Sequence, residues 1–167
     1  MSTGRLGLPE KLRYLPLLAC LTLTGCLSTP PITDGQTGAQ LSPVSDRRAA
    51  VVTNASRMIG TPYRYGGNNP GGFDCSGLVQ YAHDRAGLVV PRTTREQWRH
   101  ASRVGRQQLL PGDLVFFDVG REKTSHVGIY EGAGIFIHAP SAGKRVSRAS
   151  LDNPYWNSRL VGARSFL

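Results

Sequence analysis

The chain has 167 residues, a length that suits one domain, and its hydrophobic fraction of 40% is enough for a packed core. Lysine and arginine outnumber aspartate and glutamate by 20 to 11, which gives a formal net charge of +9. A basic surface attracts polyanions. These residues are scattered along the chain and form no stripe with stacking aromatics, so we expect no nucleic-acid partner. An anionic cell wall or membrane surface suits this charge better.

The first 25 residues have the order of features found in secretory signals. Positive charges within residues 1–14 precede a short apolar segment from Leu15 to Leu23, and small residues come directly before Cys26. The apolar segment holds about nine residues, too few for a bilayer span of about 20. The run Leu-Thr-Gly-Cys also resembles the bacterial lipobox, in which the cysteine is lipidated. We therefore expect residues 1–25 to be a lipoprotein signal peptide, with an ordinary signal peptide as the alternative.

Residues 26–44 are expected to be a lipidated flexible tether that precedes a domain of residues 45–167. The tether is rich in proline, threonine, serine and glycine and has no periodicity. Acyl chains on Cys26 would hold the protein at a membrane without a transmembrane helix. Of the three cysteines, Cys20 would be removed with the signal and Cys26 acylated, which leaves Cys75 as a free thiol.

Three helices are predicted in the first half of the domain. Ser45 or Asp46 caps a helix that runs to about residue 59, with an inward face of Ala49, Val52 and Ala55. A glycine-rich loop over residues 60–74 leads to a second helix over residues 76–86, which ends at Gly87 and has an inward face of Leu78, Val79 and Ala82. Thr93 and Glu96 have the spacing of a capping box for a third helix over residues 94–102.

The second half of the domain has the pattern of an antiparallel sheet. A turn at residues 111–113 precedes a buried strand over residues 114–117. Residues 126–130 and 135–138 are predicted to form a hairpin around a tight glycine-containing connection. Residues 145–148 and 160–165 are weaker strand candidates. Helices followed by a sheet indicate an α+β fold.

Cys75 lies where the glycine-rich loop meets the second predicted helix. Backbone N–H groups and the helix dipole stabilise a negative charge at such a position, which favours a lowered thiol pKa and a reactive thiolate. The negative charge of Asp74 opposes this lowering of the thiol pKa. Other groups must outweigh that charge, or the Asp74 carboxylate must turn away to bond backbone groups. A lone cysteine is also often a small buried apolar residue, so Cys75 by itself does not decide between the two interpretations.

Four histidines are present, and two of them are placed to work with a thiol. His83 and His100 fall within predicted helices among polar neighbours, and we expect both to be exposed. His126 and His138 lie on the two strands of the predicted hairpin and should come opposite each other within about one residue of register. The two imidazoles are therefore expected to be neighbours.

A thiol and two neighbouring imidazoles suit nucleophilic catalysis, in which a base takes the thiol proton and a third group orients the base. We assign His126 as the base and His138 as the orienting residue, with Gly128 leaving room for a substrate backbone. Two core histidines bonded to backbone groups are the alternative. A zinc site is less consistent with the sequence, because there is no CxxC or HExxH motif.

An acyl-transfer site also needs donors for an oxyanion. The backbone N–H of Cys75 is one such donor. Tyr63 and Tyr65 in the glycine-rich loop are candidates for a second, and loop packing explains either of them equally well.

Several segments together resemble the NlpC-type cysteine peptidases of bacterial cell walls. They are GTPYRYGG at 60–67, FDCSGLVQYA at 73–82, VPRTTREQ at 90–97, LLPGDLVFF at 109–117, SHVGIYEG at 125–132 and FIHAP at 136–140. LDNPYW at 151–156 also looks like the tail of the small murein-endopeptidase lipoproteins. The resemblance covers about residues 45–167.

The resemblance implies a papain-like α+β fold, in which N-terminal helices pack on an antiparallel sheet, and a triad carried onto Cys75, His126 and His138. It implies that Tyr63 assists at the oxyanion. The substrate it implies is the peptide stem of peptidoglycan, cut next to or across diaminopimelate without a cofactor or metal. Three further residues match family motifs and are expected to line the groove: Ser76, Arg92 and Ser125.

The expected reaction is acyl transfer through a thioester. A D,D-crosslink between stems and the γ-D-glutamyl link within one stem are both candidate bonds. Three rivals stay open: a wall-binding lipoprotein without turnover, an amidase that cuts between sugar and stem, and a lipid acyltransferase. We expect a monomer in the cell envelope, anchored to a membrane through Cys26. Leu27, rather than an aspartate, follows Cys26 and favours the outer membrane, facing the periplasm.

Overall fold

The first helix, α1, spans Pro43–Ser56 and so ends about three residues before the predicted end near residue 59. The computed structural model describes residues 43–120 and 124–167, so the predicted signal peptide and Cys26 lie outside the described residues. Val51 and Ala55 are buried, whereas Ala49 is exposed and Val52 is only half-buried. The expected inward position of Ala55 is therefore confirmed, whereas those of Ala49 and Val52 were wrong. Among the described residues, no helix is long and apolar enough to cross a bilayer.

The second helix, α2, spans Cys75–Asp84 and follows the glycine-rich loop, which contains a short antiparallel pair, β1 (Asn68–Asn69) and β2 (Gly72–Phe73). Its predicted inward face is confirmed, because Leu78, Val79 and Ala82 have no solvent exposure. Gly87, with φ of +75°, follows the end of the helix as expected for a left-handed stop.

His83 is buried, which contradicts the prediction that it is exposed. Its side chain has no solvent exposure. Its Nδ1 atom lies 2.8 Å from the Val79 carbonyl oxygen, and its ring meets Phe166 edge-on at a centroid distance of 6.1 Å. The error arose because polar neighbours were taken as a sign of exposure, whereas position 83 lies four residues after Val79 and so shares its inward stripe. His100, at the end of the next helix, is exposed as predicted.

The third helix, α3, spans Thr94–His100 and begins at the predicted cap. The Thr93 hydroxyl oxygen accepts the Glu96 backbone N–H at 3.3 Å, and the hydroxyl donates to the Glu96 carboxylate at 2.7 Å. The bond from the hydroxyl to the carboxylate lowers the pKa of the Glu96 carboxyl. The helix ends before residue 102 because the backbone becomes extended at Ala101, directly before strand β3 (Ser102–Val104).

A six-stranded antiparallel sheet forms the second half, in the order β3-β8-β4-β5-β6-β7. Its other strands are β4 (Leu114–Phe117), β5 (His126–Gly132), β6 (Ile135–His138), β7 (Ser147–Ser150) and β8 (Leu160–Ser165). Three of the predicted ranges match these strands, while β7 begins two residues later than expected. The helix-then-sheet order confirms the α+β expectation.

Both faces of the central strand β4 are buried, and they serve two cores. Leu114 and Phe116 pack in the core beneath the helices, whereas Val115 and Phe117 pack in a second core on the opposite face. Burial of each large apolar side chain stabilises the fold by roughly 1.5–3 kcal/mol. A short helix, α4 (Pro154–Asn157), contributes Trp156 to the second core. This helix was not predicted, since four residues are too short for a periodic pattern.

An ion pair fastens α1 to the sheet. Arg48 Nη1 lies 2.8 Å from Asp113 Oδ1, and the Asp113 side chain is only 1% exposed. The same carboxylate accepts the Ser165 hydroxyl at 2.7 Å and the Leu110 N–H at 2.8 Å, so this buried charge is fully hydrogen-bonded. These bonds hold the first helix, the turn before β4 and the end of β8 together.

We predict that burial of His83 makes the protein sensitive to acid. Burial lowers the pKa of His83 from 6.5 to about 4. Between these values the unfolded chain binds a proton that the folded chain does not, so the free energy of unfolding falls as the pH drops from 6.5 to about 4. His83 contributes about 3 kcal/mol of this loss.

Urea unfolding at a series of pH values measures this slope. His83→Gln should make it shallower between pH 6.5 and about 4, while the buried His126 and His138 maintain the rest of the slope. His100→Gln, which removes an exposed imidazole, should keep the wild-type slope. Equal slopes in wild type and His83→Gln would contradict the assignment.

Candidate active site

Asp74 caps α2, and its carboxylate is bonded to backbone groups. Its Oδ1 atom accepts the Gly77 N–H at 2.7 Å, and its Oδ2 atom accepts the Gly66 N–H at 3.0 Å. The Arg92 guanidinium binds both carboxylate oxygens, at 3.0 and 2.6 Å. The sequence left two ways to offset the charge of Asp74: stronger groups around the thiol, or bonds from the carboxylate to backbone groups. The structure shows the second, because the carboxylate binds backbone N–H groups and Arg92.

Ser76 and Arg92, both predicted to line the groove, belong to this Asp74 network. The Ser76 hydroxyl donates to Asp74 at 3.3 Å and accepts from Arg92 Nη1 at 3.0 Å, and Ser76 is only 6% exposed. The Arg92 side chain is 32% exposed, and its hydrogen bonds to Asp74 raise its pKa. A direct contact of either residue with substrate stays a prediction.

Cys75 is the first residue of α2 and is partly exposed. Its Sγ atom lies 3.7 Å from the Thr94 Oγ1 atom at the start of α3, a partner that was not predicted. Packing around the thiol raises its pKa, while the bonds from Thr94 and from the Val127 backbone lower it to a smaller extent. The expected lowering of the thiol pKa is thus wrong, since burial outweighs the hydrogen bonds that favour the thiolate.

His126 and His138 form a buried hydrogen-bonded pair, which confirms that they are neighbours. His126 Nε2 lies 2.8 Å from His138 Nδ1, and each residue is 3% exposed. The hairpin pairs Ile129 with Ile137 and has a bulge after Tyr130. Continued along the strands, this register offsets the two histidines by two residues rather than the expected one. A two-residue offset keeps both side chains on one face, whereas a one-residue offset would separate them.

Gly128 is required by protein packing rather than by the substrate backbone. A Cβ atom at this position would lie 2.5 Å from the Phe136 ring and 3.1 Å from the Ile137 carbonyl oxygen. The space that was predicted to receive a substrate is therefore filled by Phe136 from the neighbouring strand.

Trp156 covers the histidine pair. Its ring stacks on His126 at a centroid distance of 5.5 Å and an angle of 26°, and it meets His138 edge-on at 4.9 Å and 90°. Burial lowers the pKa of His126 to about 3 and that of His138 to about 4. The neighbouring His138 lowers the pKa of His126 further, and the charge of Lys144 lowers the pKa of His138 further. Both imidazoles are therefore neutral near pH 7. In the sequence, the match around LDNPYW was the only indication that Trp156 belongs to the site.

The pairing of the two histidines selects the nitrogen that is open to a thiol. His138 occupies Nε2 of His126, so Nδ1 is the remaining nitrogen. The Val127 backbone, directly after His126, is a hydrogen-bond partner of the Cys75 thiol, which places the sulfur beside this end of β5. Within residues 43–120 and 124–167 the hydrogen-bonded side-chain partner of the thiol is Thr94 rather than His126. Catalytic hydrogen bonds are often loose before substrate binds.

Two tyrosines were left as oxyanion candidates, and only Tyr63 lies near the thiol. Its backbone N–H donates to the Lys144 carbonyl oxygen at 2.8 Å. Burial raises the pKa of its phenol, and the next largest cause is the charge of Cys75. Tyr65, in contrast, is 90% exposed. The geometry therefore favours Tyr63.

Ser125 has a structural hydrogen bond and also lines a cleft. Its Oγ atom accepts the Val119 N–H at 2.9 Å. A cleft of about 530 Å³ lies beside the thiol's partner Thr94 and is also bounded by Ser125, Glu96 and Arg99. In the described part of the chain, no three histidine, cysteine or acidic side chains come together as a metal site.

We predict that Trp156 keeps the histidine pair neutral by excluding water. Trp156→Ala should raise the pKa of His126 by at least about 1 unit, because water regains access to the ring. Trp156→Phe should give a smaller rise, since an aromatic cover remains. Titration of the histidine ring protons by NMR measures both changes. An unchanged His126 pKa in a folded Trp156→Ala protein would contradict this role.

Known proteins match this arrangement along most of the domain. Residues 60–165 match the NlpC/P60 family. The chain is 42% identical over 155 residues to the probable endopeptidase NlpC of Escherichia coli, a match that covers 90% of this chain and 96% of that protein. It is 44% identical to the gamma-DL-glutamyl hydrolase of Bacillus subtilis and 47% identical to the murein DD-endopeptidase MepH of E. coli. These two matches cover 70% and 65% of this chain but only 29% and 42% of those proteins.

Solved structures agree with the sequence comparison. The NlpC/p60 domain of the peptidoglycan hydrolase SagA superposes with a TM-score of 0.61 at 36% identity, covering 71% of this chain and 97% of that one. An NlpC/P60 family protein from Bacillus cereus gives a TM-score of 0.67 at 33% identity, covering 72% of this chain and 40% of that one. The papain-like fold expected from the sequence is thereby confirmed, and the chain belongs to the NlpC/P60 family.

Proposed function

We propose that this protein is a cysteine-dependent hydrolase of peptidoglycan that cuts stem peptides or the crosslinks between them. The observation that carries the proposal is the hydrogen-bonded pair of His126 and His138, which leaves Nδ1 of His126 as a base beside the Cys75 thiol. Its relatives are named as a murein DD-endopeptidase and a gamma-DL-glutamyl hydrolase, and SagA as a peptidoglycan hydrolase. In this scheme Cys75 is the nucleophile, His126 the base and His138 the orienting residue.

Acylation begins with a proton transfer from the thiol. For Nδ1 of His126 to accept this proton, Nε2 must carry the ring hydrogen and donate it to Nδ1 of His138. As the proton moves from Sγ to Nδ1, the sulfur bonds to the carbonyl carbon of the scissile amide. The resulting imidazolium is stabilised by the hydrogen bond to His138, which also fixes the plane of the ring.

Collapse of the tetrahedral intermediate releases the amine. His126 donates its Nδ1 proton to the amide nitrogen as the C–N bond breaks, and a thioester to Cys75 remains. A water molecule then gives a proton to His126 and attacks the thioester carbon. The C–S bond breaks, the proton returns to the sulfur, and the free acid leaves. Atoms and charges balance without any cofactor.

The resting state holds an uncharged thiol and an uncharged imidazole rather than a preformed ion pair. The thiol pKa is raised and the pKa of His126 is lowered, both chiefly by burial. Proton transfer therefore accompanies attack, when the new bond to carbon compensates for the loss of the thiol proton. A substrate amide that displaces water would strengthen the electrostatic effect of every nearby donor.

Two donors are available to the oxyanion in this scheme. The Cys75 backbone N–H lies in the first turn of α2, where N–H groups have no partner within the helix and the dipole favours negative charge. The Tyr63 hydroxyl, near the thiol, is the second donor. Removal of one such donor in other enzymes lowers kcat by about 100- to 1,000-fold.

The bond that is cut follows from substrate contacts rather than from the reaction itself. The two relatives named for different bonds, a γ-DL-glutamyl link and a D,D-crosslink, are 44% and 47% identical to this chain. Overall similarity therefore favours neither bond, and both are candidates. The same triad would also support an amidase that cuts between sugar and stem, and product masses distinguish all three.

We further propose that the domain acts in the cell envelope from a lipid anchor. The support is the sequence of residues 1–44: a charged and then apolar signal, the lipobox-like Leu-Thr-Gly-Cys ending at Cys26, and a polar tether. Leu27 after the cysteine favours the outer membrane. Metabolic labelling with a fatty-acid analogue tests the anchor, since Cys26→Ala should abolish label that the wild type retains.

We predict that turnover depends on the three proposed residues in different degrees. Cys75→Ala and His126→Ala should each lower kcat by at least about a thousandfold on purified muropeptides. His138→Ala should lose less, and His138→Asn should recover part of that loss because its amide oxygen accepts the His126 Nε2–H bond. Chromatography with mass spectrometry of the products measures each rate and identifies the bond.

His100→Ala serves as the control, because its imidazole is exposed and does not line the cleft beside Thr94, and it should keep wild-type turnover. If wild type and Cys75→Ala leave every muropeptide intact, the hydrolase proposal fails and a binding role becomes the leading one. Transfer of labelled acyl groups from phospholipid would instead favour the lipid acyltransferase.

A further inference from the structure

A second cleft, distinct from the one beside the thiol's partner Thr94, lies against His126. It has a volume of about 410 Å³, within the range of about 300–1,000 Å³ typical of ligand sites. His126 forms part of its lining, together with Ser141, Lys144, Tyr155 and Trp156. His126 does not line the cleft beside Thr94, so of these two clefts only the second borders the proposed base.

Lys144 is the one charged residue that lines this cleft, because the imidazole of His126 is neutral. No aspartate or glutamate lies in the lining, and no carboxylate among residues 43–120 and 124–167 forms an ion pair with Lys144. Its charge nevertheless acts on the site, because it lowers the pKa of the neighbouring His138. A positive group at the edge of a partly apolar cleft is suited to bind an anion.

The backbone holds Lys144 in place independently of its side chain. Its N–H donates to the Ser141 carbonyl oxygen at 3.1 Å, and its carbonyl oxygen accepts the Tyr63 N–H at 2.8 Å. The facing wall is equally fixed, since Asn153 caps α4 by accepting the Tyr155 N–H at 2.9 Å and Arg159 lies 3.9 Å from the Tyr155 ring centroid. The side chain of Lys144 is therefore free for a ligand, and its replacement should leave the turn intact.

The position of His126 decides which part of a substrate enters this cleft. In the proposed reaction His126 gives its proton to the nitrogen of the leaving amine. The residue that carries this nitrogen must therefore lie close to the imidazole, and this cleft is a space that the imidazole borders. The Trp156 and Tyr155 rings offer apolar surface to an aliphatic chain, and Lys144 offers a cation to its end.

We propose that this cleft is the subsite for the leaving-group residue of the stem peptide and that Lys144 binds a free carboxylate of that residue. This inference rests on the proposed function. It adds which part of the substrate the cleft binds, the leaving-group residue, and which charge that residue carries. It makes Lys144 a specificity-determining residue, because a carboxylate and the uncharged carboxamide have nearly the same shape but differ in charge.

Two synthetic stem peptides test this subsite, one with a free carboxylate on the leaving-group residue and one with a carboxamide there. We expect wild type to prefer the carboxylate by about tenfold in kcat/KM, the size of one charge-assisted hydrogen bond. Lys144→Met should bring the ratio close to one, mainly through KM, and Lys144→Arg should restore most of it. Arg85→Met removes an equal charge about 15 Å along α2 from Cys75 and should keep the wild-type ratio.

The paired substrates separate recognition from an indirect effect on His138. An effect of Lys144 on the imidazole pKa alone would change the rates on both peptides equally, and an unchanged ratio in Lys144→Met would overturn the proposal. Equal rates of wild type on both peptides would overturn it as well, with the hydrolase function intact. A wild type that cuts neither peptide would overturn the proposed function and this inference together.

Discussion

The hydrogen bond between His126 and His138 depends on the geometry of the whole sheet and in turn determines what the site can do. At 2.8 Å between Nε2 and Nδ1, it fixes which nitrogen of His126 faces the thiol. It forms because the hairpin offsets the two residues by two positions, and because Gly128 leaves room for the Phe136 ring of the neighbouring strand. A side chain at position 128 would displace Phe136 and with it the core that supports both imidazoles.

Burial and charge act against each other throughout this site. The first turn of α2 favours a thiolate, but packing raises the pKa of the thiol and lowers that of both imidazoles. The carboxylate next to the thiol would disfavour attack further, and its bonds to Arg92 and two backbone N–H groups take up much of its charge. The result is an uncharged resting pair whose proton transfer waits for substrate. Such a site limits side reactions of the thiol.

Much of the fold was predictable because its main elements bury short apolar runs between clear turn signals. The ranges of β4, β6 and β8 and the inward face of α2 followed from these runs. The strand pair β1–β2, the strand β3 and the helix α4 are each too short for a periodic sequence pattern to indicate them. His83 was misplaced because its neighbours in sequence say less about exposure than its position on the helix. Trp156 and Thr94 contact the site through long-range packing, and the raised thiol pKa follows from burial that no local pattern reveals.

The protonation of His126 at neutral pH tests the central claim most directly. Nitrogen-15 NMR of histidine-labelled protein, assigned with single His→Gln variants, distinguishes the neutral tautomers from the imidazolium. The account predicts a neutral ring with its proton on Nε2 and an unprotonated Nδ1, persisting as the pH falls below 6.5 toward about 3. A proton on Nδ1 of the neutral ring, or an imidazolium at pH 7, would contradict the account, because His126 would then have no open nitrogen for the thiol proton.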